Sequence, residues 1–522
     1  FFLSRAAMGI CFMFFFLPAT SGATPNEDLV AENRAALKAY FADQVDRLST
    51  ESIFDIDDTK AWPEQREQYR RQLLYMLGLD PMPPTVPLNA AITGILEQDE
   101  FTVEKVHFQS LPGLYVTANL YHPKTLEEAA PVILYLCGHA SRVVDGVSLG
   151  NKTAYQHHPA WFARHGYVCL IVDTIQLGEI QGMHHGTHRE GMWWWNSRGY
   201  TAAGVEAFNA MRAIDYLETR KEADTTRIGV TGRSGGGIGT LYLSALDPRV
   251  TVAAPVAGIT DIRNHINGFL TPNHCDCNYF PNLYRFDYAR IVSLIAPRPL
   301  LIANTDRDGI FPLDGVQRVH AEVKKVYKRL GAEKSLGLAV AVGEHADSQP
   351  LRMPVFHWFN QHLKGESPLI ASPAEPFVEE AALKVFEELP GDEIVTRIHE
   401  SFVPRAQVPI PESVEAWQEQ KAAFLAGLKE NTFRNWPQTF PSLDAEQIFA
   451  VDREGVHLEG WRFTVEPHVC LSFYATWTAG LMAPERIYLS VADDEAWGNA
   501  MASYRTVFGD LLPDYPEAEL NE

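Results

Sequence analysis

The chain has 522 residues, 46% hydrophobic and 21% charged, a balance that excludes a largely disordered chain, a collagen and a coiled coil. Lysine plus arginine number 44 against 66 aspartate plus glutamate, a formal net charge of −22. So acidic a surface repels polynucleotides and anionic membranes, which excludes a nucleic-acid partner held by phosphate contacts.

At roughly 150 residues per domain the length predicts two to three domains, with ample core for folding without disulfide or metal staples. Residues 1–23 read as a cleaved leader. Arg5 supplies the positive charge, Met8 to Leu17 the apolar run, and Ser21-Gly22-Ala23 a small-x-small site cut after Ala23. The run is short for a membrane span, so the expected product is secreted or periplasmic, with no membrane contact after cleavage. Removing Cys11 with the leader leaves an odd number of cysteines, so at least one thiol stays free. Cys137 and Cys169 lie in apolar runs and read as small buried hydrophobes.

Residues 24–90 form a helical preface, with helices predicted over Glu32 to Asp46 and Glu64 to Leu79 and a proline-rich stop at Pro81 to Pro87. Residues 91–365 are the largest predicted domain. It opens with a hairpin, Phe101 to Phe108 and Leu114 to Tyr121, turning at Leu111-Pro112-Gly113. Strands and helices then alternate. Strands are predicted at Val132 to Leu136, Val168 to Val172, Arg227 to Val230, Val252 to Val256, Pro299 to Ala303 and Leu336 to Val342. Helices fall at Ala160 to His165, Tyr200 to Arg220, Gly237 to Leu246, Val316 to Leu330 and Leu351 to Leu363. Continuous apolar strands separated by helices predict an α/β class with a mostly parallel sheet covered on both faces. Two insertions, 174–199 and 258–290, interrupt the alternation. Residues 366–445 are a proline-punctuated connection, and 446–522 a small β-rich module or the truncated opening of a second domain of the same kind.

Gly232-Arg233-Ser234-Gly235-Gly236 is a G-x-S-x-G pattern directly after a predicted strand and before a predicted helix. This is the setting of a nucleophile elbow, whose tight turn needs small neighbours and lifts the serine hydroxyl to a helix N-terminus. A serine nucleophile needs a base and an orienting carboxylate, in the chain order serine, acid, histidine for this architecture. Asp306 and Asp308 both follow the strand Pro299 to Ala303. Asp308 is preferred because Phe311-Pro312 follows it in a D-x-x-[V/F]-P arrangement. His345 follows the last strand and is the candidate base. The oxyanion donors expected are the backbone N–H of Gly235 and that of His139 or Ala140, in the turn after the first parallel strand.

Other residues admit several readings. His139, His184, His185 and His188 could bind a metal, but isolated histidines and a polar lid are the plainer interpretation. His274, Cys275 and Cys277 could be a metal group, a disulfide partner or buried free thiols. Trp193, Trp194 and Trp195 could stack on sugar rings, with at least one ring packing the insertion onto the core.

The stretch from about Arg66 to Gly365, with a weaker continuation to about Pro437, resembles the secreted α/β-hydrolases of the acetyl xylan esterase-like and dienelactone hydrolase-like kind. Gly191 to Asn196, Tyr200 to Arg220, Arg227 to Gly237, Asn273 to Cys277, Pro297 to Pro312 and Phe356 to Gly365 carry the likeness. The resemblance implies an α/β-hydrolase fold and ester hydrolysis through an acyl-serine, with Ser234, Asp308 and His345 as the triad. It calls for no metal or organic cofactor, and the expected substrate is an acylated carbohydrate. A prolyl oligopeptidase-like peptidase would share fold and triad, but no repeated propeller domain precedes the catalytic part. A non-catalytic carbohydrate-binding protein on a decayed core is the remaining alternative.

Overall fold

The computed structural model describes residues 10–14, 27–50, 59–436 and 442–512. The chain divides into two compact units, residues 47–434 and residues 1–46 with 435–522.

The larger unit is built on a nine-stranded sheet: β1 (Ala91–Glu97), β2 (Phe101–Leu111), β3 (Leu114–Pro123), β4 (Ala130–Leu136), β5 (Val168–Val172), β6 (Ala223–Arg233), β7 (Val250–Val256), β8 (Leu300–Thr305) and β9 (Leu336–Ala341). Their spatial order is β9-β8-β7-β6-β4-β5-β3-β2-β1. The four ladders from β4 through β6, β7 and β8 to β9 are parallel, as is β4 with β5. The ladders joining β5, β3, β2 and β1 are antiparallel. This is the doubly covered, mostly parallel sheet expected of an α/β-hydrolase.

The side-chain alternation of a strand sorts the core into two layers. Leu300 and Ile302 of β8 join one apolar cluster, while Leu301 and Ala303 join another. The first layer takes in the helices Trp62–Leu77, Ala202–Glu218, Gly235–Leu246 and Leu313–Arg329. The second takes in His157–Arg164 and Gln349–Phe359, where Trp161 stacks on Phe356 with centroids 3.8 Å apart. Thr201 caps the helix Ala202–Glu218, accepting from the Gly204 N–H at 2.9 Å and donating to the Leu77 carbonyl at 2.6 Å. One hydroxyl thus ends one helix and starts another. Strand β1 lies outside the predicted hairpin: it is an edge strand with mostly exposed or half-buried side chains, so it lacks a buried apolar run.

Residues 366–403 continue over the same sheet. Leu383, Val385, Val395 and Ile398 are buried. Asn119 Nδ2 donates to the Leu383 carbonyl at 3.1 Å, and Thr93 Oγ1 to the Val385 carbonyl at 2.8 Å.

A fully buried ion group ties this strap to the first insertion. Lys152 Nζ lies 2.8 Å from Asp173 Oδ2 and 2.6 Å from Glu179 Oε1. Thr117 Oγ1 donates to Asp173, and the Val385 and Phe386 N–H groups donate to Glu179. Burial pushes the Asp173 carboxyl up, against the pull of Lys152. Lys152→Met would leave two buried carboxylates without their cation. It is expected to destabilise the unit by about 3–5 kcal/mol, read as a lowered midpoint in urea unfolding; an unchanged midpoint would mean the group carries no structural weight.

In the smaller unit a five-stranded sheet runs Glu446–Arg453, Val456–Glu466, Val469–Thr478, Ile10–Phe14, Ile487–Val491. The helix Asp494–Phe508 supplies Trp497, Met501 and Phe508 to its core. Ile10–Phe14, from the apolar run of the expected leader, pairs parallel to Ile487–Val491 and antiparallel to Val469–Thr478. The rest of that leader, including the expected cut after Ala23, lies outside the described residues. No described helix is long and apolar enough to cross a membrane.

Candidate active site

Ser234 stands between β6 and the helix Gly235–Leu246, with φ 59° and ψ −120°. A non-glycine residue held at positive φ is strained, a conformation common where function imposes it. The turn is tight because its glycines touch backbone. A Cβ on Gly232 would lie 2.2 Å from the Leu136 carbonyl oxygen, and one on Gly236 would lie 1.9 Å from it. Any side chain there would force β4 and the elbow apart.

Ser234 Oγ lies 3.1 Å from His345 Nε2, and His345 Nδ1 lies 2.8 Å from Asp308 Oδ2. Asp308 is buried, and its Oδ1 accepts from the Ile310 and Phe311 N–H groups at 2.9 and 2.8 Å. The carboxylate is thus fixed by its own loop, with one oxygen free for the imidazole. Asp306 takes a different place: its Oδ1 accepts from the Gly343 N–H at 2.9 Å near the surface. Two further groups hold the histidine loop. Arg233 donates to the His345 carbonyl at 2.7 Å, and Thr305 Oγ1 to the Glu344 carbonyl at 2.9 Å. The variable position of the elbow motif thus anchors the loop of the candidate base, a role the motif alone does not signal.

Gly235 N–H begins the helix after Ser234. Of the two residues expected to give the second oxyanion donor, Ala140 turns its N–H to the Gly138 carbonyl at 3.1 Å. The His139 N–H has no intramolecular acceptor among the described residues, so His139 is the better-placed donor. Its imidazole covers the elbow: a Cβ on Gly235 would lie 3.0 Å from His139 Cε1.

The tryptophan run divides its labour. Trp195 is 1% exposed, lies against Gly186, and meets Tyr200 edge-on at 4.8 Å. Trp193 and Trp194 are 61% and 43% exposed. The buried ring packs the insertion down, and Trp194 lies at its edge, 6.1 Å from the His399 ring.

The second insertion braces the acid loop. His274 Nε2 bonds the Ile310 carbonyl at 3.0 Å, and the His274 ring meets Phe311 edge-on at 4.8 Å. Cys275 and Cys277 are free, buried thiols with their sulfurs 3.3 Å apart.

Beside them His265 is buried, with neither ring nitrogen hydrogen-bonded, and stacks on Tyr288 at 4.8 Å. Burial, with the neighbouring His274, holds it down to about 3, against 6.5 in the unfolded chain. The unfolded chain therefore takes this proton first, and stability is lost as pH falls from 6.5 towards 3. The loss approaches about 1.4 kcal/mol per pH unit in that window. His265→Phe keeps the ring packing and removes the proton site. The variant is expected to show a flatter fall of urea midpoint between pH 6.5 and 4; an identical slope would assign the acid sensitivity elsewhere.

With this geometry in view, the likenesses to known proteins are specific. The family profile described as X-Pro dipeptidyl-peptidase (S15 family) matches residues 113–276. That stretch holds Ser234 and the candidate oxyanion turn but ends before Asp308 and His345. YtaP of Bacillus subtilis (strain 168), named as a hydrolase, is 26% identical over 292 residues, covering 55% of this chain and 96% of that one. The 4-O-methyl-glucuronoyl methylesterase 1 of Wolfiporia cocos (strain MD-104) is 30% identical over 173 residues, covering 28% of this chain and 42% of its own. Among solved structures, the methylesterase BT1017 superposes with a TM-score of 0.52 at 22% identity, over 79% of this chain and 86% of that one. These likenesses and the sheet order show an α/β-hydrolase fold.

Proposed function

We propose that the chain is a serine carboxylic-ester hydrolase acting on carbohydrate esters, and that it releases acetyl or other small acyl groups through an acyl-serine intermediate. The observation that carries this reading is the relay Ser234 Oγ, His345, Asp308 at 3.1 and 2.8 Å, with the serine at a strained elbow.

In this reading His345 Nε2 takes the hydroxyl proton as Ser234 attacks the acyl carbon. Asp308 holds the ring in the tautomer with its proton on Nδ1 and stabilises the imidazolium. The N–H groups of Gly235 and His139 receive the charge that develops on the carbonyl oxygen. The sugar hydroxyl leaves with the proton from His345. Water, activated by the same histidine, then frees the acid and restores the serine. Exposed Trp193 and Trp194 offer flat apolar faces to sugar rings.

A second reading follows from the Wolfiporia relative, whose name places the sugar on the acid side of the ester and methanol on the leaving side. The S15 match supports an amide arm in the same test. Purified protein and its Ser234→Ala variant are assayed on acetylated xylan, methyl glucuronate, p-nitrophenyl acetate and an X-Pro p-nitroanilide. Serine-dependent acetate release from xylan is the expected result. Turnover of methyl glucuronate alone keeps the mechanism and moves the substrate to uronate esters. Anilide turnover exceeding ester turnover would replace the reading by a peptidase.

A further inference from the structure

The loop after β4 and the two insertions, far apart in sequence, bring three soft or borderline donors to one point beside the elbow, with a fourth, Cys277, against two of them. His139 comes from the turn after β4, His184 from the first insertion, and Cys275 and Cys277 from the second. One ligand atom each of His139, His184 and Cys275 lie within 4.8 Å of one another. The sulfurs of Cys275 and Cys277 are 3.3 Å apart, and Cys277 Sγ is 3.4 Å from His139 Nε2. A tetrahedral zinc with its usual bond lengths spaces such atoms by about 3.3–3.8 Å, so these two distances are close to the edges of a loaded site. We propose that His139, His184, Cys275 and Cys277 form a closed, four-coordinate site for zinc, which clamps both insertions to the oxyanion turn.

The surroundings suit thiolates. The Cys277 N–H lies 3.4 Å from Cys275 Sγ, and Asn278 Nδ2 donates to Cys277 Sγ at 3.6 Å. As a thiol, Cys275 Sγ donates to Gln176 Oε1 at 2.7 Å, and Gln176 Nε2 is buried without a partner. On loss of the thiol proton, exchange of the two ends of the amide would turn Nε2 to the sulfur as a donor. His184 Nε2 is also buried and has no hydrogen-bond partner. Donors aimed at sulfur and an idle buried imidazole nitrogen are what a thiolate–imidazole site needs around it. Two thiolates and two neutral imidazoles neutralise a divalent ion, and this donor set favours zinc over magnesium or calcium. All four protein positions are filled, so the ion would have a structural role and no open position for substrate. The other metal-like group, His157, His158 and Asp347, differs: Arg352 Nε already donates to Asp347 at 2.9 Å, so a cation is in place.

The test starts from the intact chain purified under reducing conditions without chelator. Elemental analysis is expected to find about one zinc per chain, as for a structural site. The Cys275→Ser/Cys277→Ser double variant and His184→Ala are expected to lose it, while Cys470→Ser, at an exposed thiol in the other unit, keeps it. Replacing zinc by cobalt is expected to give the strong visible absorption of tetrahedral thiolate ligation, together with sulfur-to-metal charge transfer. If a variant fails to fold, the cobalt spectrum of the unaltered chain still decides. Reduced protein that holds no zinc and takes up neither added zinc nor cobalt overturns the proposal, as does metal retained by the folded double variant. None of these readings depends on ester turnover, so the site and the esterase reading fail separately.

Discussion

Replacing Ser234 by alanine is expected to lower ester turnover by roughly 10⁶-fold, leaving only what binding and the oxyanion donors supply. The size follows from the geometry. Ser234 is the only oxygen nucleophile placed on His345 Nε2 among the described contacts, at 3.1 Å. The hydroxyl also sits in a backbone conformation that alanine inherits, so the elbow and its helix should persist. A fluorophosphonate should label the unaltered protein at this residue and leave the alanine variant unlabelled. Labelling that survives in the variant, or turnover that falls by less than tenfold, would move the nucleophile elsewhere. A folded native protein that takes no label would instead favour a sugar-binding role on a retired catalytic core.

Asp308→Asn is expected to reduce kcat about 10⁴-fold, while Asp306→Asn stays close to the parent. The two aspartates lie two positions apart on one loop, yet they do different work. Asp308 Oδ1 is held by two loop N–H groups, so Oδ2 faces His345 Nδ1. An asparagine in that pose would offer an N–H to Nδ1, and the ring would respond by carrying its proton on Nε2. The base would then present a hydrogen to the serine instead of a lone pair. Asp306 accepts from Gly343 in the neighbouring loop and does not touch the imidazole. The measurement is kcat on p-nitrophenyl acetate for both variants. Equal losses would contradict the division of roles.

Much of the fold was legible because buried parallel strands are nearly continuous apolar runs. Val132 to Leu136 and Val168 to Val172 announce themselves in this way, and both are wholly buried. Strand Ala91–Glu97 was not legible, because an edge strand needs no apolar face. The elbow was readable from local spacing, since a tight turn imposes small residues next to the serine. The choice between Asp306 and Asp308 rested on a short pattern, and the loop hydrogen bonds that separate them are invisible in one dimension. Three adjacent tryptophans looked alike; one turn of helix, Trp194–Arg198, decides which ring is covered. The meeting of His139, His184 and Cys275 leaves no local spacing at all, because its members come from three segments brought together only by the finished sheet.

The strap of residues 366–403 has a practical consequence for anyone shortening this protein. A gene that stops after Gly365, where the last helix of the sheet ends, would encode every member of the relay. It would also strip Leu383, Val385, Val395 and Ile398 from the apolar surface they cover, and remove the two backbone N–H groups that quiet Glu179. Such a truncation should collect in inclusion bodies despite its complete chemistry. A stop codon placed after Arg434, where this unit ends, keeps the strap whole, including Val403, whose carbonyl accepts from Arg198 in the first insertion.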